Sequence, residues 1–213
     1  EIQRDPATGE PTGIFKEQAR RLLEYNAVPV ERTPEEEEAR EMAGWEAMLE
    51  YTRSLGITSI QHPGGGDAEL YQRLMDEGTL TVRVDVAGQL TADSEELQRW
   101  DEIRQRYPRS GNWIRFGYMK GFIDGTLGSG TALFFEPFED EPDKSGLPMM
   151  PYEELEEQIL ATDAMGFQIG IHAIGTKANN WILNAYEKAG EVNGFRDSRH
   201  RSEHAQVLID ADI

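Results

Sequence analysis

The chain has 213 residues, 38% apolar and 9% aromatic, which is enough to bury a sizeable core. Forty acidic residues against 21 basic ones leave a formal charge of −19. That excess repels phosphate backbones and anionic lipid headgroups, so neither nucleic acid nor a membrane is an expected partner. The absence of cysteine excludes disulfides, thiolate nucleophiles and Cys-type zinc sites together. Any metal must be held by His, carboxylate or modified Lys. No apolar run reaches the eighteen or so residues of a membrane-spanning helix.

Residues 1–32 are rich in Pro and Gly and read as a loop or insertion segment, with a short helical stretch at 16–25. Thr33-Pro34-Glu35-Glu36 is a helix start. Thr33 caps, Pro34 suits the first helical position, and Glu36 completes a capping box. Met42, Trp45, Leu49, Thr52 and Leu55 recur at helical spacing until Gly56. The β-prone run 57–61 ends at His62-Pro63-Gly64-Gly65-Gly66, and Asp67 opens a helix closed by Gly78. Strands at 80–86, 114–123, 167–172 and 199–205 then alternate with helices at 94–107, 151–166 and 176–189. Such alternation predicts parallel βαβ units. Five strands fall short of the eight in a closed (β/α) barrel, which needs about 250 residues. The expected fold class is therefore α/β, a partial TIM-like (β/α) barrel with about five of eight parallel strands. It is read as a single incomplete domain over 1–213, an internal fragment.

In such folds functional residues collect where strands end and βα loops begin. The predicted strand ends carry His62, His172 and His204, and the third strand carries Lys120. The chain has only four histidines, so three at strand ends point to a site. His200 and His204 are four apart, but Arg201-Ser202-Glu203 lies between them in a strand setting. The zinc-binding H-E-x-x-H helix is thus absent, and His200 reads as an ordinary strand residue. Lys120 admits two readings. Its stem snorkels to the surface, or it is a buried amine of lowered pKa that captures carbon dioxide as a carbamate, an anionic metal ligand. The Gly-rich run 125–131 matches no nucleotide-binding pattern and reads as a loop at the mouth of a site. The segment after His62 reads as a tight turn, with a substrate contact from His62 as the alternative.

Lys120…Asp124-Gly125-Thr126-Leu127-Gly128-Ser129-Gly130-Thr131-Ala132, then His172-Ala173-Ile174-Gly175, then Arg199-His200-Arg201-Ser202-Glu203-His204-Ala205-Gln206 resembles the amidohydrolase superfamily. The run is similar to the YtcJ-like metal-dependent hydrolases, which include N-substituted formamide deformylases. Pro11-Thr12-Gly13-Ile14-Phe15 and Leu55-Gly56-Ile57-Thr58-Ser59-Ile60 fit in the same order. The resemblance implies a barrel with one or two divalent metals, usually zinc, that hydrolyses C–N bonds of a small-molecule substrate through a metal-bound hydroxide. It implies Lys120 as the carboxylated lysine and His172 and His204 as metal ligands. Asp124 and His62 are candidate substrate contacts. The family's His-x-His pair and late-strand Asp have no counterpart here. The chain alone is therefore expected to hold metal weakly, to keep Lys120 unmodified and to be inactive. Its open sheet edges favour a homo-oligomer, and the expected location is cytoplasmic. Thr176 stands where the family commonly has Asp, and Gly130 where it has Arg; Thr176 can still cap the next helix. These departures leave a second reading, a non-catalytic barrel relative that binds or regulates. A third is a Schiff-base enzyme using Lys120.

Overall fold

The computed structural model describes residues 2–26, 31–63 and 68–213. Its contacts divide the chain into two compact units, 1–44 and 45–213. In the first, β1 (Ile2–Arg4) and β2 (Pro11–Phe15) form an antiparallel hairpin where a loop was expected. Pro6 and Gly9 belong to its turn, whereas Pro11 and Gly13 lie within β2. Asp5 Oδ1 accepts from the backbone N–H of Ala7 (2.8 Å) and Thr8 (2.9 Å), and Gly9 adopts a φ of +75°. A 3₁₀ turn (Glu17–Arg20) leads into α1 (Arg21–Asn26). The next helix, α2 (Pro34–Ser54), crosses the boundary between the units. It starts with the expected reciprocal cap. Thr33 Oγ1 accepts the Glu36 N–H at 3.2 Å, and Glu36 Oε2 accepts the Thr33 N–H at 2.9 Å.

The second unit alternates strand and helix: β3 (Ser59–His62), α3 (Ala68–Asp76), β4 (Arg83–Gln89), α4 (Ser94–Arg106), β5 (Ile114–Phe122), α5 (Tyr152–Ala164), β6 (Ile169–Ala173), α6 (Thr176–Asn193) and β7 (Arg201–His204). The five strands form one parallel sheet in chain order. Arg201 of β7 reaches Gln61 Oε1 of β3 at 3.4 Å. The sheet therefore curls until inner side chains of its first and last strands meet, giving a half-barrel. On its outer face Ile123, Ile169, Ile171 and Ala173 pack with Leu155 and Ile159 of α5 and Ile182 and Ala185 of α6, all fully buried.

Local chemistry sets the element ends. β4 begins at Arg83, later than the predicted residue 80, because the Thr79 and Leu80 N–H groups close α3 by donating to Leu74 O at 2.9 and 3.1 Å. Asp93 caps α4 by accepting the N–H groups of Glu95 and Glu96, both at 2.9 Å. The expected opening of α3 at Asp67, and the turn at Gly64-Gly65-Gly66, lie outside the described residues.

The start of α6 corrects the expectation for Thr176. The N-cap residue is Gly175, and no side chain caps the helix. The Lys177 and Ala178 N–H groups donate instead to Leu133 O at 3.1 and 3.2 Å. Thr176 Oγ1 faces the same loop and accepts the Phe135 N–H at 3.3 Å. A Cβ on Gly175 would sit 2.1 Å from Leu133 O, so this close approach requires glycine. Among the described residues, no helix is long and apolar enough to cross a membrane.

Candidate active site

Which face of the sheet Lys120 occupies is decided by one residue. Early in β5, Phe116 points outward, with Trp100 of α4 and Phe167 each 5.9 Å away between ring centres. Arg115 points inward and binds Asp85 of β4. Strict alternation would send Lys120, four residues after Phe116, outward too. The register breaks first: Val86 pairs with Phe116 but Ala87 pairs with Tyr118, leaving Gly117 as a bulge. Beyond it Tyr118, Lys120 and Phe122 face inward. The Arg201 guanidinium lies 4.1 Å from the Tyr118 ring centre, and Phe122 pairs with His172 of β6, their rings 5.6 Å apart.

Lys120 is buried, 4% exposed, with Nζ 3.5 Å from the Phe122 ring centre and donating to Gly121 O. Burial pushes the amine down to about 8, against an opposing pull from Glu203. Glu203 is held by the Arg201 fork at 2.9 and 2.6 Å. The amine therefore gives up its proton far more readily than an exposed lysine.

His172 sits on the inner face beside it. Its Nε2 lies 2.9 Å from Gly125 O and 3.4 Å from Asp124 Oδ1. A carbonyl only accepts, so we assign the proton to Nε2 and the lone pair to Nδ1. Burial lowers the pKa of this ring, which keeps it neutral. His204 reaches the group by a different device. Ser202 points outward to Asn179 Oδ1 of α6 at 2.7 Å, so His204 should point outward as well. Left-handed backbone at His204 (φ +78°) and Ala205 (φ +44°) turns it back. Its ring meets that of His172 edge-on, 4.6 Å between centres. Each such residue costs roughly 1–2 kcal/mol, a strain typical of functional positions.

Lys120, His172 and His204 thus stand on the three neighbouring strands β5, β6 and β7, towards their C-terminal ends. Asp124 and His62 are placed otherwise. Asp124 is 1% exposed, and its carboxylate accepts the backbone N–H groups of Leu133 (2.9 Å), Ile174 (3.1 Å) and Gly175 (2.9 Å). It fastens the loop after β5 to the end of β6, and it touches His172 from behind. Gly130 lies in that loop at φ +64°, closing a turn onto Leu127 O. His62 faces away from the inner-face residue Gln61. It bonds Tyr71 Oη of α3 at 2.9 Å and packs near Trp45 of α2, so it is not brought together with the other three.

His200, read from sequence as ordinary, ties two strands below the site. Its Nδ1 accepts the Ile169 N–H at 3.1 Å and its Nε2 donates to the buried Asp163 at 3.0 Å. Asp163 also binds Arg196 and Asn193. No spacing signal marks these residues, because they meet only through packing of α5 on the strand starts. Among the described residues, no group of three or more His, Cys, Asp or Glu is gathered as a metal cage. Two imidazoles fall one short of the usual minimum of three protein ligands.

Comparison with known proteins decides the family. The profile of the amidohydrolase family matches residues 1–213. The chain belongs to the amidohydrolase family. Within or beside that family, it is 35% identical over 219 residues to the protein LONG AFTER FAR-RED 3 of Arabidopsis thaliana, covering 97% of this chain and 36% of that protein. It is 32% identical over 203 residues to YtcJ of Bacillus subtilis (strain 168), covering 95% and 36%. Among solved structures, an uncharacterized metal-dependent hydrolase from Pyrococcus horikoshii OT3 matches with TM-score 0.68 and 27% identity, over 99% of this chain and 41% of that one. One from Pyrococcus furiosus matches with TM-score 0.65 and 28% identity, over 87% and 42%. The chain spans little more than a third of the length of the two sequence relatives. Amidohydrolase membership and the curled parallel sheet agree with the resemblance carried by the Lys120, His172 and His204 motifs.

Proposed function

We propose that the protein is a metal-dependent hydrolase acting on C–N bonds of amide or formamide type in small molecules. One observation carries the reading: Lys120, His172 and His204 converge on the inner face, at the ends of three consecutive parallel strands. The metal-dependent hydrolases of matching fold lend it support.

The donor chemistry fits a divalent cation. A metal-ligating histidine ordinarily donates its other ring N–H to a carbonyl or carboxylate, and His172 Nε2 does so with Gly125 O. His172 Nδ1, the ring of His204 and a carbamate on Lys120 would hold the ion, with further ligands from outside this chain. A bound divalent cation supplies Lewis-acid polarisation of a carbonyl and a water of lowered pKa. Lys120 contributes by being buried and partly neutral: its amine adds to carbon dioxide with loss of a proton, giving a carbamate whose oxygens are anionic. Gly125 O keeps the His172 ring in the ligating tautomer, while Asp124 anchors the loop at the mouth. Metal identity is left open by this donor set, since imidazole and oxygen ligands suit several divalent ions.

The test is metal analysis of the full-length protein purified without chelator, with assays on formamides and simple amides. Bound metal that His172→Ala and Lys120→Ala abolish, with loss of hydrolysis, is the expected result. A full-length protein that takes up no divalent metal would overturn the proposal and leave the non-catalytic binding or regulatory role.

A further inference from the structure

Asp85 lies outside the candidate site, on β4, yet its surroundings are specific. It is 7% exposed. Its Oδ2 accepts from Arg115 Nε at 3.0 Å and lies 3.0 Å from Arg115 Nη2 in an ion pair. Its Oδ1 is buried and, among the described residues, has no hydrogen-bond partner. An orphaned buried carboxylate oxygen is costly, so its position needs a reason. That reason is the bulge. A Cβ added to Gly117 would fall 1.7 Å from Asp85 Oδ1, 2.5 Å from Cγ and 2.8 Å from Oδ2. The whole carboxylate therefore occupies the volume a side chain at position 117 would take.

We propose that Asp85 is a positioning residue for Lys120: clamped by Arg115, its carboxylate fills the space over Gly117 and locks the bulge that brings Lys120 to the inner face. The geometry links the two ends of this statement directly. Arg115, one strand position before the outward Phe116, presents its guanidinium to Asp85. Gly117 follows as the unpaired residue, and Tyr118 and Lys120 then alternate in the shifted phase. Without the extra residue, Lys120 would share the outward face of Phe116, away from His172 and His204. The lock deepens the proposed function and rests on it only for what Lys120 does, not for where Lys120 stands.

The experiment uses full-length protein carrying Gly117→Ala, Asp85→Ala, Asp85→Asn, or Gly117→Ala with Asp85→Ala. Each is read by cobalt(II) affinity and by a crystal structure of the metal-free variant. Gly117→Ala should weaken cobalt(II) binding by roughly 10- to 100-fold, the range for loss of support behind a ligand, with Lys120 withdrawn from the inner face. Asp85→Ala, which removes the filler, should likewise weaken it with Lys120 withdrawn, and unchanged affinity with Lys120 still inward in Asp85→Ala would overturn the lock. Asp85→Asn, which keeps the shape, should retain it. The double variant should recover relative to Gly117→Ala, because the alanine methyl then fills the volume that the Asp85 carboxylate leaves. If Gly117→Ala alone does not fold, recovery of folding in the double variant supports the lock, and failure to recover overturns it. Unchanged cobalt(II) affinity with Lys120 still inward in Gly117→Ala would also overturn it. A wild-type protein that binds no cobalt(II) would sink the metal reading alone, and the four crystal structures would still decide the lock.

Discussion

Asp163→Ala tests the tie beneath the site. Asp163 is 4% exposed and receives His200 Nε2–H, Arg196 Nη2 and Asn193 Nδ2. Removing its carboxylate strands these donors unequally. The His200 side chain is 8% exposed, so its N–H finds little water, a loss of about 1–3 kcal/mol. Arg196 is 35% exposed and keeps the carbonyls of Asp163 and Phe167 at 3.1 Å, so water and backbone soften its loss. Breaking a buried charged pair from one side typically costs about 3–5 kcal/mol; the partial exposure of Arg196 places the expected loss near the lower end, ~3 kcal/mol. With a urea slope of about 1–3 kcal/mol per molar, the midpoint should fall by about 1–3 M. Asp163→Asn retains one acceptor and should lose only about 1 kcal/mol. The assay is urea unfolding followed by far-ultraviolet circular dichroism. A loss under ~1 kcal/mol for the Ala variant would mean that water replaces the carboxylate, and the argument for a dry tie would fail.

Acidification should destabilise the fold through His62 and His200, whose pKa values burial lowers from 6.5. The unfolded chain then takes up protons first, so their contribution is fully present above 6.5 and declines as pH falls through the folded values. Urea midpoints measured on either side of that value check it, and a midpoint that rises on acidification refutes it. Asp85, raised by burial, contributes with the opposite sign from 3.8 upward and should be neutralised as Asn in a parallel series. Gly175→Ala would place a methyl 2.1 Å from Leu133 O, the acceptor that caps α6. Overpacking of this kind costs about 1–3 kcal/mol; thermal unfolding should register it, and an unchanged midpoint would show that the loop yields freely.

Much of the architecture is legible in the residues alone because the signals are local. Thr33 and Glu36 can reach only each other's backbone, so the start of α2 follows from spacing. Alternating strand and helix patterns, with apolar strands covered on both faces, leave a parallel sheet as the arrangement that buries them. The Lys120, His172 and His204 motifs likewise stand out by residue type and place in the chain. Facing direction is another matter, because it depends on phase, and phase is set by neighbours. Gly117 becomes a bulge only because Asp85 of another strand fills the space over it, and that single inserted residue moves Lys120 from one face to the other. His204 turns towards His172 through left-handed backbone that no periodicity announces. Asp163, Arg196 and His200 meet across some 30 residues, as the tail of α5 packs on the strand starts. Thr176 looks like a cap, but tertiary folding brings Leu133 O to the helix end first. Short-range hydrogen bonding and hydrophobic periodicity therefore determine the elements, whereas close packing between strands distant in sequence decides which side chains share the candidate site.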